Sequence, residues 1–131
     1  MSIGETTPEQ PAAAALTLNE RGKKLAEEGA YQPALEAFFA AIDADPDFAA
    51  PYNNVAAMCL QIGSHDQALV YAAKALDLAP MDRSIFLACG EILARTGHVD
   101  KARELYETYL LHFPGDAELE AGLSGLPMAT R

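Results

Sequence analysis

Three landmarks recur along this chain at one spacing, and that spacing restricts its fold more than any other feature. Gly29, Gly63 and Gly97 stand 34 residues apart, as do Ala34, Ala68 and Ala102, and Pro46, Pro80 and Pro114. A period of about 20–50 residues marks a supersecondary unit that is copied and stacked, each copy covering a face that its neighbour leaves open. Ahead of the glycines, Tyr52, Val55, Ala56 and Cys59 fall on one helical face, and Phe86, Cys89, Gly90 and Leu93 repeat the pattern. Leu18, Gly22 and Leu25 are a weaker first copy, with Arg21 at the fourth place. Behind the glycines run the stripes Ala34, Phe38, Ala41, Ile42; Ala68, Ala72, Ala75, Leu76; and Ala102, Tyr106, Tyr109, Leu110. Each unit therefore reads as a helix, a tight turn and an antiparallel helix.

The punctuation agrees. A glycine just past a helix takes up the left-handed backbone that satisfies the last carbonyls. Each proline, lacking an N–H, stops the second helix of its unit. Asp47, Asp82 and Asp116 follow the prolines, where a carboxylate is expected to cap the next helix. Ala34, Ala68 and Ala102 mark the close approach of two helices, where a bulky side chain would overpack the hairpin by about 1–3 kcal/mol.

The ordered set Leu18…Gly22…Leu25…Ala34…Phe38…Pro46, its second copy Tyr52…Ala56…Cys59…Ala68…Ala72…Pro80 and its third, Phe86…Gly90…Leu93…Ala102…Tyr106…Pro114, resembles the tetratricopeptide-repeat (TPR) pattern over about residues 15–114. Arg21, Ala72 and the large Tyr109 depart from that pattern and bear on local packing. The resemblance implies an all-α fold, a right-handed α-solenoid of three helix-turn-helix hairpins at about 15–46, 49–80 and 83–114. Leu119, Leu123 and Leu126 predict a capping helix at about 116–124 over the last hairpin. The domain then spans 12–126, behind a disordered leader at 1–11 and ahead of a loose tail at 127–131. The first hairpin has no comparable cover unless Ala12–Leu16 extends its first helix, so self-association through that end is an expectation to carry forward.

Composition removes several function classes. A net charge of −10 opposes nucleic acid and anionic membrane as partners. No stretch has the length of a membrane span, and the apolar run at 12–18 is too short, and lacks the basic flank, for a secretory signal. The cytoplasm is the default compartment. Cys59 and Cys89 lie within apolar stripes and read as small hydrophobes, without a disulfide. His65, His98 and His112 have no second ligand at metal spacing, so neither metal nor cofactor is expected. No phosphate loop, nucleophile motif or paired-carboxylate site stands out, and the chain is not expected to be an enzyme.

What remains is the hollow side of the stack, where the resemblance implies that a peptide binds. Off the packing stripe of the three first helices lie Asn19, Glu20, Lys23 and Glu27; Asn53, Asn54, Ala57, Leu60 and Gln61; and Ser84, Leu87, Ala88, Glu91 and Arg95. Their charges nearly cancel, so most of the acidic excess is expected elsewhere. The carboxamides of Asn53 and Asn54 suit grip on a peptide backbone, and Ala57, Leu60, Leu87 and Ala88 are expected to form an apolar floor. TPR co-chaperones grip a terminal carboxylate with three cations and two asparagines. The matching positions here are Asn19, Lys23, Asn54, Ser84 and Ala88, of which only Asn54 fits, and that function is rejected. The expected function is a non-enzymatic interaction module docking about 6–9 extended residues of a partner protein. The alternatives are a self-assembling scaffold and a bacterial secretion-type chaperone for a hydrophobic substrate.

Overall fold

The computed structural model describes residues 11–127. Seven α-helices follow one another among the described residues: α1 Pro11–Glu27, α2 Tyr31–Ala44, α3 Ala49–Gln61, α4 His65–Leu78, α5 Arg83–Arg95, α6 Val99–His112 and α7 Ala117–Ser124. The expected leader and tail lie outside the described residues except for Pro11 and Pro127. Pro11 opens α1 instead of closing a leader. Proline at the first helical position sacrifices only an N–H that has no partner there, and the alanines behind it are the best helix formers.

Helices pack as the antiparallel pairs α1/α2, α3/α4 and α5/α6. The pairs stack through α2/α3 and α4/α5, so that α3 lies between α1 and α5. α7 packs across α6 and α5 and covers the last pair. The result is an all-α helical solenoid.

Each intra-hairpin turn is built the same way. Gly29, Gly63 and Gly97 have φ of 81°, 83° and 91°, a region that side-chain-bearing residues seldom enter. Ala30 N donates to Leu25 O at 2.9 Å, Ser64 N to Cys59 O at 2.8 Å and His98 N to Leu93 O at 2.7 Å. These are the long hydrogen bonds of the Schellman motif, and they satisfy carbonyls at the helix end.

Between the two helices of a hairpin, size is traded across one contact. A Cβ on Gly22 would stand 2.5 Å from Phe38 Cε1, and one on Gly90 would stand 2.4 Å from Tyr106 Cζ. In the middle hairpin the same two positions hold Ala56 and Ala72, 0% and 4% exposed. Ring meets glycine, and alanine meets alanine, so the three contacts fill similar space by different means. Ala34, Ala68 and Ala102 are each 0% exposed, as their role at the close approach requires.

Most of the core is one cluster running through the first two hairpins to Ile85, Cys89 and Ile92 of α5. The Cys89 thiol donates to Ala72 O at 3.3 Å, and burial pushes its pKa up to about 11, so it packs as a neutral group. A second cluster of Phe86, Tyr106, Tyr109 and Leu119 joins the last hairpin to α7.

Two of the three expected caps form. Asp82 accepts from Ile85 N at 3.2 Å, and Asp116 accepts from Glu118 N at 3.1 Å and Leu119 N at 3.2 Å. Asp47 does not cap α3. Its register is one residue early: Phe48 occupies the N-cap, and the Asp47 N–H donates instead to Asp45 Oδ1 at 3.1 Å.

Arg83, at the start of α5, reaches the loop between α6 and α7 and ties α7 down. Its Nε donates to Asp116 Oδ2 and its Nη2 to Glu118 Oε1, both at 2.6 Å. The guanidinium holds the Asp116 carboxyl down to about 2, with the amides of Leu119 and Glu118 helping. A depressed carboxyl stabilises fully above its ordinary value and progressively less as pH falls towards its folded one. Lowering pH from about 4 to about 2 is therefore expected to loosen α7. Amide shifts of Glu118 and Leu119 should report that step, and Asp116→Asn, which keeps an N-cap acceptor, should flatten it. An unchanged response in Asp116→Asn would assign the step to other carboxylates.

Candidate peptide-binding trough

α1, α3 and α5 present neighbouring faces to an open trough of about 470 Å³. Nine of the expected residues line it: Lys23 and Glu27 from α1; Asn54, Ala57, Leu60 and Gln61 from α3; Ala88, Glu91 and Arg95 from α5. Ala26, Phe38, Met58 and Ile92 complete the apolar floor. Met58 and Ile92 are only 4% and 3% exposed. In a sequence such residues read as packing positions. Their placement 34 residues apart, one step beyond Ala57 and Glu91, was the available signal.

The other expected residues lie elsewhere, each for a geometric reason. Asn19 is 3% exposed and accepts from Asn54 Nδ2 at 2.9 Å. It is a nearly buried residue that holds the Asn54 amide in place. Asn19, Asn53 and Ser84 line a second hollow of about 390 Å³ next to the trough, which shares Lys23 and Asn54 with it. Asn53 Oδ1 is buried there without a hydrogen-bond partner among the described residues. Glu20 lines neither hollow and pairs with Lys23 Nζ at 3.3 Å.

Leu87 departs from the expected floor. It packs against the cluster of Phe86, Tyr106, Tyr109 and Leu119 and lines a recess facing Ala121, Gly122 and Leu126. One residue before Ala88 is about 100° around the helix. In the middle repeat that direction, held by Asn53, looks towards the next hairpin; in the last repeat α7 occupies it.

Charge at the trough is balanced. Lys23 and Arg95 supply the cations, and Glu27 and Glu91 the anions. Arg95 Nη1 pairs with Glu91 Oε2 at 3.3 Å, with both side chains more than half exposed. The floor between them is apolar. Such a surface offers van der Waals seats, one oriented carboxamide and exchangeable charges, and its residues form no nucleophile–base arrangement.

The family profile described as Tetratricopeptide repeat matches residues 60–126. DnaJ homolog subfamily C member 3 of Bos taurus is 32% identical over 107 residues, which are 82% of this chain and 21% of that protein. Small glutamine-rich tetratricopeptide repeat-containing protein 2 of Mycosarcoma maydis is 30% identical over 112 residues, 86% of this chain and 32% of that protein. The chain thus spans about a fifth to a third of the length of these relatives. Among solved structures, the second TPR domain of human RPAP3, described in complex with the HSP70 peptide SGPTIEEVD, superposes with a TM-score of 0.75. It is 28% identical, over 87% of this chain and 95% of that one. With its 34-residue period, its three glycine turns and its stacked hairpins, the chain belongs to the tetratricopeptide-repeat family.

Proposed function

We propose that this chain is a non-enzymatic interaction module that docks a peptide segment of a partner protein in the trough of α1, α3 and α5. The observation that carries this reading is the open apolar floor beside the Asn54 carboxamide, which Asn19 holds in place at 2.9 Å. Buried anchors supply affinity in such grooves and backbone hydrogen bonds supply register. The peptide in the RPAP3 complex supports the class of ligand. A grip on a terminal carboxylate is not carried over, because Asn19, Ser84 and Ala88 stand where that grip needs cations, and none of the three is charged. The ligand is an internal segment.

A photo-cross-linking residue placed at Ala57, in the trough, is expected to trap the partner in lysate. One placed at Val70, 65% exposed on α4, is expected to trap none. Ala57→Glu should reduce capture about tenfold or more, because docking would bury an unpaired carboxylate. Helicity and melting should not change, since Ala57 is exposed. Adducts at position 70 with position 57 silent would remove the trough from consideration.

A further inference from the structure

The four charges of the trough occupy two repeat positions. Lys23, Ala57 and Glu91 share one, and Glu27, Gln61 and Arg95 share the other, each set spaced by 34 residues. Each set therefore stands at one level across α1, α3 and α5. The two levels are one helical turn apart, about 6 Å along the axis. At the first level α1 is positive and α5 negative; at the second the signs are reversed. The middle helix contributes no charge at either level, only Ala57 and Gln61 above the Met58 and Ile92 floor.

We propose that the trough selects an extended segment with an apolar centre and an adjacent acid–base pair at each end, the two pairs in opposite order. This rests on the trough reading above. Successive side chains of an extended chain point to opposite sides, so they lean alternately to the first and second levels. From α1 to α5 is two helix spacings, about 16–20 Å, which about five or six extended residues span. The order is then an acid for Lys23, a base for Glu27, an apolar residue over Ala57, a small polar one at Gln61, a base for Glu91 and an acid for Arg95. The existing pairs do not block this exchange: Lys23–Glu20 is 47% and 59% exposed and Arg95–Glu91 57% and 62%, and exposed pairs are cheap to break. Charges of this kind set order and discrimination more than affinity.

Two blocked hexapeptides of one composition, EKLSKE and EELSKK, test it when titrated into the ¹⁵N-labelled full chain at low salt. EKLSKE meets four opposite charges. EELSKK meets two opposite and two like charges whichever way it lies. EKLSKE is expected to bind about fivefold more tightly, shifting the Asn54, Ala57 and Ala88 amides, with the preference fading at about 1 M salt. Glu27→Lys with Arg95→Glu leaves net charge unchanged and makes each wall uniform in sign, so it should reverse the preference. Equal binding of both peptides in the trough would overturn the charge order and leave the trough reading standing. Binding of neither, or shifts confined to α4, would overturn both.

Discussion

Replacing Tyr109 with alanine is expected to cost about 3–5 kcal/mol, the range for emptying a buried aromatic site. Its ring is 1% exposed, with centroids 4.0 Å from Phe86 and 4.6 Å from Phe113, and its hydroxyl donates to Met81 O at 2.9 Å. The matching positions of the first two hairpins are Ala41 and Ala75, both 0% exposed because another hairpin follows and closes over them. Among the described residues the third hairpin is followed by α7, eight residues long, and not by another helix pair. A tyrosine fills what a following helix pair would otherwise fill, and Leu119 closes the cluster from the other side. Stability in a stacked array is local, so the loss should fall on one end. Hydrogen exchange is expected to show α5, α6 and α7 losing protection while α1 to α4 keep most of theirs. Tyr109→Phe retains the stacking and should cost only about 1 kcal/mol for the lost hydrogen bond. A loss spread evenly over all seven helices would mean that Tyr109 supports the whole array and not its end.

That a tyrosine at position 109 breaks the repeat was visible in the sequence; why it does was not. Periodicity reports what is the same in each copy, and so it located the hairpins, the glycine turns and nine trough residues. The misplacements fall where copies differ in their surroundings. Pattern alone puts Leu87 beside Ala88 on the floor, whereas α7 takes the direction that Leu87 faces. Asn19 shares its repeat position with Asn53, yet it is buried under Asn54. A bond between residues 35 apart on different helices leaves no trace in local pattern. Asp47 misled for a smaller reason: a one-residue offset after the proline moves a carboxylate out of capping reach. Met58 and Ile92 belong to the core and to the surface at once, because a trough floor is core seen from outside.

Gly90→Ala is expected to destabilise the chain by about 1–3 kcal/mol, even though alanine is the better helix former by about 1 kcal/mol. The added carbon would stand 2.4 Å from Tyr106 Cζ and 2.6 Å from its Cε1. Tyr106 is 5% exposed and packed among Phe86, Tyr109 and Leu119, so moving its ring aside disrupts that cluster. Removing the ring should change the sign of the effect. In a Tyr106→Ala background the position copies Ala56 facing Ala72, and Gly90→Ala should then be neutral or stabilising by up to about 1 kcal/mol. Denaturant melts of the four proteins give a cycle whose coupling is expected to be about 1–4 kcal/mol. The same inversion is expected at Gly22 against Phe38, where the contact would be 2.5 Å. If Gly90→Ala costs the same with and without the ring, the glycine serves something other than close packing, and the exchange of size between paired positions does not explain how three unequal hairpins share one fold.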